Sequence, residues 1–97
     1  MDEFAVEMIA RAADGTVSPF HVFVGEPEPG SDGQCADCLV WCTLLNKPTH
    51  VRGESLRQAY SLGFDLVRRL VEYSDLTLEH PTGCPFTLPS PPHEFQE

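Results

Sequence analysis

The sequence predicts an α+β fold, a small antiparallel sheet of three to five strands packed on one long α-helix in the C-terminal half. Three observations predict it. Runs rich in β-branched and aromatic residues fill the first half and are punctuated by glycine and proline turns. A single stretch after Ser55 carries apolar residues at helical spacing. The order of elements, local hairpins ahead of one helix, is that of an antiparallel sheet rather than of βαβ units. At 97 residues this is one domain, and a chain of this size buries only roughly 60–65% of its unfolded surface, so it gains from a partner or a covering segment.

Phe4 to Arg11 form the first strand, stopped by Asp14-Gly15, a hairpin signal, and residues 17–24 return as the second. Pro19 lacks a ladder donor, so that end of the strand belongs at an edge or a bulge. Residues 25–33, rich in Gly, Pro and acids, form a polar loop. Residues 35–45 are the most apolar run and read as a buried strand, with His50, Val51 and Arg52 as a short fourth. Ser55 and Gln58 fit a capping box at the helix start. From Leu56 on, Ala59, Tyr60, Gly63, Leu66, Val67, Leu70 and Val71 share a face, with Asp65–Arg69 and Arg68–Glu72 as i,i+4 pairs on the opposite one. Gly63 sits mid-face, where it costs roughly 1 kcal/mol against Ala, and marks the point where helix and sheet approach. Leu76 to Leu78 form a last short strand. The domain therefore spans 1–78, and 79–97, with five of the nine prolines, form an extended or disordered tail.

A strand ending in Val24-Gly25-Glu26-Pro27, a loop, a strand with cysteine, and Gly53-Glu-Ser-Leu-Arg-Gln-Ala59 opening a helix make residues 20–72 resemble a family of short bacterial proteins of unknown function. The resemblance implies the same α+β fold and carries no activity.

A net charge of −9 with only six Lys and Arg argues against nucleic acid and anionic membranes, because affinity for both comes largely from cations. No stretch approaches the ~18 apolar residues of a transmembrane helix. The N-terminus lacks a basic, then apolar, secretory pattern, which makes the cytoplasm the expected compartment.

Cys35-x2-Cys38 with His80-x3-Cys84 has the residue types of a Cys3His zinc site. Against it, residues 35 and 38 of a regular strand point to opposite faces, so unligated thiols and no cofactor are expected. A Cys42–His50 nucleophile–base pair has no spacing that requires it, and no phosphate-binding glycine loop is present. Glu26, Glu28, Asp32 and Asp37 concentrate charge near one loop without a calcium-loop pattern; they read as a solvated loop or a docking patch for a basic partner.

The strand at 35–45 is apolar on both sides, Cys38, Val40, Cys42 and Leu44 on one and Leu39, Trp41 and Leu45 on the other. One helix covers one face. The other, with Ile9, Phe23, Leu39, Trp41 and Leu45 as its expected interface residues, needs the tail or a second subunit, and a homodimer through the sheet is the preferred solution. The expected function is a small acidic protein–protein interaction module without catalytic activity. Its alternatives are a structural zinc domain and an inhibitor or immunity-type protein for a basic partner.

Overall fold

The computed structural model describes residues 3–30, 33, 35–84 and 86. It is an α+β fold of one antiparallel sheet and one helix. In chain order the elements are β1 (Phe4–Arg11), β2 (Val17–Val24), β3 (Glu28–Pro29), β4 (Ala36–Cys42), β5 (Thr49–Gly53), α1 (Leu56–Tyr73) and β6 (Thr77–Glu79). β2 lies between β1 and β4, β6 adds outside β1, and β5 adds outside β4.

The proline-bearing loop departs from expectation, because its middle is a strand. β3 continues the line of β2 against β4, so that six strands form five columns. Between the pairs Val24–Val40 and Glu28–Asp37, four steps on one chain face three on the other, which is a bulge. Pro27 lies inside the bulge, where its missing N–H breaks no ladder bond. Pro19 has a similar explanation. Odd residues of β2 turn their main chain towards β4, as the bond from Thr43 N to the His21 carbonyl shows, and β4 has ended before it reaches Pro19.

Two hairpins close in the same way. Ala12 N bonds to the Thr16 carbonyl with Gly15 at φ 90, and His80 N bonds to the Cys84 carbonyl with Gly83 at φ 95. Both are three-residue loops that require a left-handed residue at their last position, which glycine occupies without a Cβ clash. The second hairpin turns the chain back along β6 as far as Phe86, whose N–H donates to the Leu78 carbonyl. The described part of the expected tail is thus a turn against the sheet, and residues 87–97 lie outside the described residues.

Even residues of β1, β2 and β4 face the helix. Met8, Ala10, Phe20, Val22, Val24, Ala36, Cys38, Val40 and Cys42 are all buried. α1 meets them with Ala59, Gly63, Phe64, Val67 and Val71. Phe64 belongs to the core and was not among the expected face residues; its ring packs edge-on against Phe4 at 5.0 Å and Tyr60 at 5.1 Å. Leu56, the first residue of the helix, is exposed.

The helix start is capped as expected on one side: Gln58 N donates to Ser55 Oγ at 3.1 Å. The Gln58 side chain reaches the Glu54 N–H instead of that of Ser55. On the solvated face Arg68 takes Asp65, three residues back, at 2.6 Å.

Close approach of helix and sheet occurs at two glycines. A Cβ on Gly63 would lie 2.9 Å from Val40 Cγ2, which makes this the expected contact point. A Cβ on Gly53 would lie 2.6 Å from the Ala59 backbone nitrogen, so the end of β5 runs directly under the first turn of α1. Among the described residues no helix is long and apolar enough to cross a membrane.

Candidate functional site

The helix seals one face of the sheet and leaves the other open. Odd residues of β1, β2 and β4 project from the open face, and the register lines them up in rows. Ala5, Phe23 and Trp41 form one row across β1, β2 and β4, and Leu39 stands beside it on β4, opposite His50. Phe23 and Trp41 are half-buried and Leu39 is 36% exposed. A Cβ on Gly25 would meet Phe23 Cε2 at 3.2 Å, so the phenyl ring lies over the glycine. The Trp41 indole N–H donates to the Leu45 carbonyl at 3.2 Å. The one polar atom of that side chain is therefore satisfied within the chain, and the rest of the indole offers apolar contact.

A second apolar patch lies further along β1 and β2. Ile9 pairs with Pro19 and Arg11 with Val17, and Pro81 of the last hairpin lines the same shallow depression as Ile9, Val17 and Pro19. Between the two patches runs a polar row, Glu7 opposite His21, with His21 Nε2 3.4 Å from Glu7 Oε2. The His21 ring lies 6.4 Å from that of Trp41, and its backbone N–H donates to Thr43 Oγ1 at 2.8 Å.

Charged pairs frame the face. Arg11 forks onto Glu79, at 2.9 and 3.3 Å, and Arg52 meets Asp37 at 3.2 Å. The hydrogen bond from Arg11 holds the Glu79 carboxyl below its ordinary value. Glu28 stands opposite Asp37 across the bulged strand.

Of the expected interface residues, Ile9, Phe23, Leu39 and Trp41 lie on this face. Leu45 does not. The expected strand at 35–45 stops at Cys42 and turns, so the alternation ends, Leu44 is exposed, and Leu45 packs against the core. Val17 and Pro19 were missed, although stepping by two from Phe23 along the second strand would have found them.

The candidate zinc residues are not brought together. Cys38 is on β4 and Cys35 just before it, while His80 and Cys84 belong to the hairpin after β6, with β2 and β1 between the two sites. Among the described residues no group of three or more His, Cys, Asp or Glu forms a metal cluster. Cys38 is wholly buried, its thiol 3.2 Å from the Gly25 carbonyl, and burial pushes it up to about 11. Burial also raises Cys42, partly offset by hydrogen bonds from the Leu44 and Leu45 backbone. Neither is a thiolate near neutral pH. Cys42 faces the helix and His50 the open face, so they form no nucleophile–base pair. Of the acidic loop residues, Asp32 lies outside the described residues.

No family model matches the chain, and neither a curated protein nor a solved structure is found to be similar to it.

Proposed function

We propose that the protein acts by binding rather than by catalysis, as an interaction module whose working surface is the open face of its sheet, and that the partner there is a second copy of the same chain. One observation carries this: a sheet sealed by α1 on one side presents Phe23, Leu39 and Trp41 on the other, with the indole N–H already bonded within the chain. An aromatic anchor with no polar group left to satisfy suits the centre of an interface. A basic partner, suggested by net charge, would meet here two arginines that are already paired, Arg11 with Glu79 and Arg52 with Asp37. Like net charge opposes self-association, so the dimer should tighten as salt screens the −9 of each chain. The resemblance to a bacterial family adds no activity to this proposal, and a cytoplasmic location is part of it.

Light scattering at micromolar concentration is the test. The expected mass is twice the chain's 10.8 kDa, with Trp41→Glu shifting it to the single-chain mass while circular dichroism is unchanged. A monodisperse single chain whose Trp41 is shielded from a fluorescence quencher would overturn the dimer and assign the face to another part of the same chain.

A further inference from the structure

We propose that Asp14 is a latent site of spontaneous backbone isomerisation, closed in the folded chain by the hydrogen bonds of its own turn and opened when the tip of the β1–β2 hairpin opens. The chemistry is local to one dipeptide. Asp14 is followed by Gly15, and glycine puts no Cβ in the way as its nitrogen reaches back towards the Asp14 side chain. Both residues are exposed, so water reaches them.

In the reaction the Gly15 nitrogen attacks Cγ of Asp14. The new C–N bond closes a five-membered succinimide, and the carboxyl OH leaves as water with the proton of that nitrogen. Water then adds back and opens the ring on either side. Cleavage at the Asp14 main-chain carbonyl leaves the chain running through the side chain, as isoaspartate, whereas cleavage at Cγ restores aspartate. The water lost is regained, and nothing is oxidised or reduced.

The fold engages both reacting groups. Gly15 N donates to the Ala12 carbonyl at 2.9 Å, and Asp14 Oδ1 accepts from Thr16 N at 2.9 Å. The first bond turns the nitrogen towards Ala12, and the second fixes the carboxylate on Thr16. That second bond also holds the Asp14 carboxyl below its ordinary value, in the ionised form whose carbon is the poorer target for a nucleophile. Packing gives no shield here, because nothing lies within 4 Å of where a Cβ on Gly15 would stand. Protection therefore comes from the hydrogen bonds of the turn. They lie beyond the last β1–β2 pair, Arg11 with Val17, and are lost together when the tip frays.

The experiment follows isoaspartate in the full chain, folded in buffer and unfolded in guanidinium chloride, at the same neutral pH and temperature. A second Asp-Gly pair, Asp32-Gly33, has to be kept apart from the first, and cleavage after glutamate does so by placing Asp14 alone in the peptide 8–26. Conversion at Asp14 should be at least about tenfold slower in the folded chain, which is the protection that two ordinary hydrogen bonds allow. It should begin to speed up at denaturant concentrations below the global unfolding midpoint, because the tip frays before the sheet is lost. Equal rates in the two states, with circular dichroism showing the buffered sample folded, would overturn the proposal. A rate that rises only with global unfolding would overturn the hairpin tip as the gate.

Discussion

Alternate residues of the same strands build the two faces of this sheet, and the faces differ in what closes them. On the helix side, Met8, Val22, Val24 and Val40 meet Gly63, Phe64 and Val67, and every one of these is buried. On the open side, Phe23, Leu39 and Trp41 share their surface with Glu7, His21, Asp37 and Arg52. The difference teaches that apolar content alone does not distinguish a sealed core from an open face. Among the described residues the first buries no polar or charged residue, whereas the second keeps charges at its centre and rim, where water solvates them.

The largest effect expected from this contrast is on stability. Phe64→Ala removes the ring that fills the space between Phe4 and Tyr60 and should cost about 3–5 kcal/mol in urea unfolding. Trp41→Ala should cost the isolated chain less than about 1 kcal/mol, since its loss exposes little that was not already partly wet. Similar losses for both would mean that the open face is closed within the single chain.

Next in size is the approach of α1 to the sheet. Gly53→Ala places a Cβ against the Ala59 backbone, which cannot turn aside, and should cost about 3 kcal/mol. Gly63→Ala meets side-chain atoms of Val40, Val24 and Cys38 and regains helix propensity, so about 1–2 kcal/mol is expected. A Gly63→Ala protein as unstable as Gly53→Ala would show that the core cannot shift where side chains alone are in the way. Thermal unfolding of the two variants side by side checks this.

The smallest effect belongs to the rim. Arg11 holds Glu79 charged below the ordinary carboxylate range, so the pair stabilises the fold above the titration range of an unfolded glutamate. That contribution is lost as pH falls through the lowered folded value. Glu79→Gln should therefore lower the melting temperature slightly at neutral pH, and the difference from wild type should vanish in acid. A difference that persists in acid would assign the effect to packing.

Much of the fold was legible because it is written in local spacing. The helix and its Ser55 cap, the first two strands and the Asp14-Gly15 turn depend on residues a few positions apart, and all lie where the pattern puts them. The candidate face was legible in part: alternation identified Ile9, Phe23, Leu39 and Trp41. It failed at Leu45, where the strand had already turned, and sequence carries no mark of where a ladder loses its partner. β3 was hidden for the same reason, since Glu28 and Pro29 form a strand only because β4 runs beside them.

The sequence by itself determined which residues alternate, where the chain turns and which stripe of the helix is apolar, because each follows from the backbone periods of 2 and 3.6 residues. Only the tertiary structure decided which parity of the strands lies under α1, and so which aromatic side chains are left on the open face. It also decided that β2 and β1 stand between the cysteines of β4 and the hairpin of His80 and Cys84. Strand order is set by pairings between residues far apart in the chain, and no local pattern encodes which strand a given edge will meet.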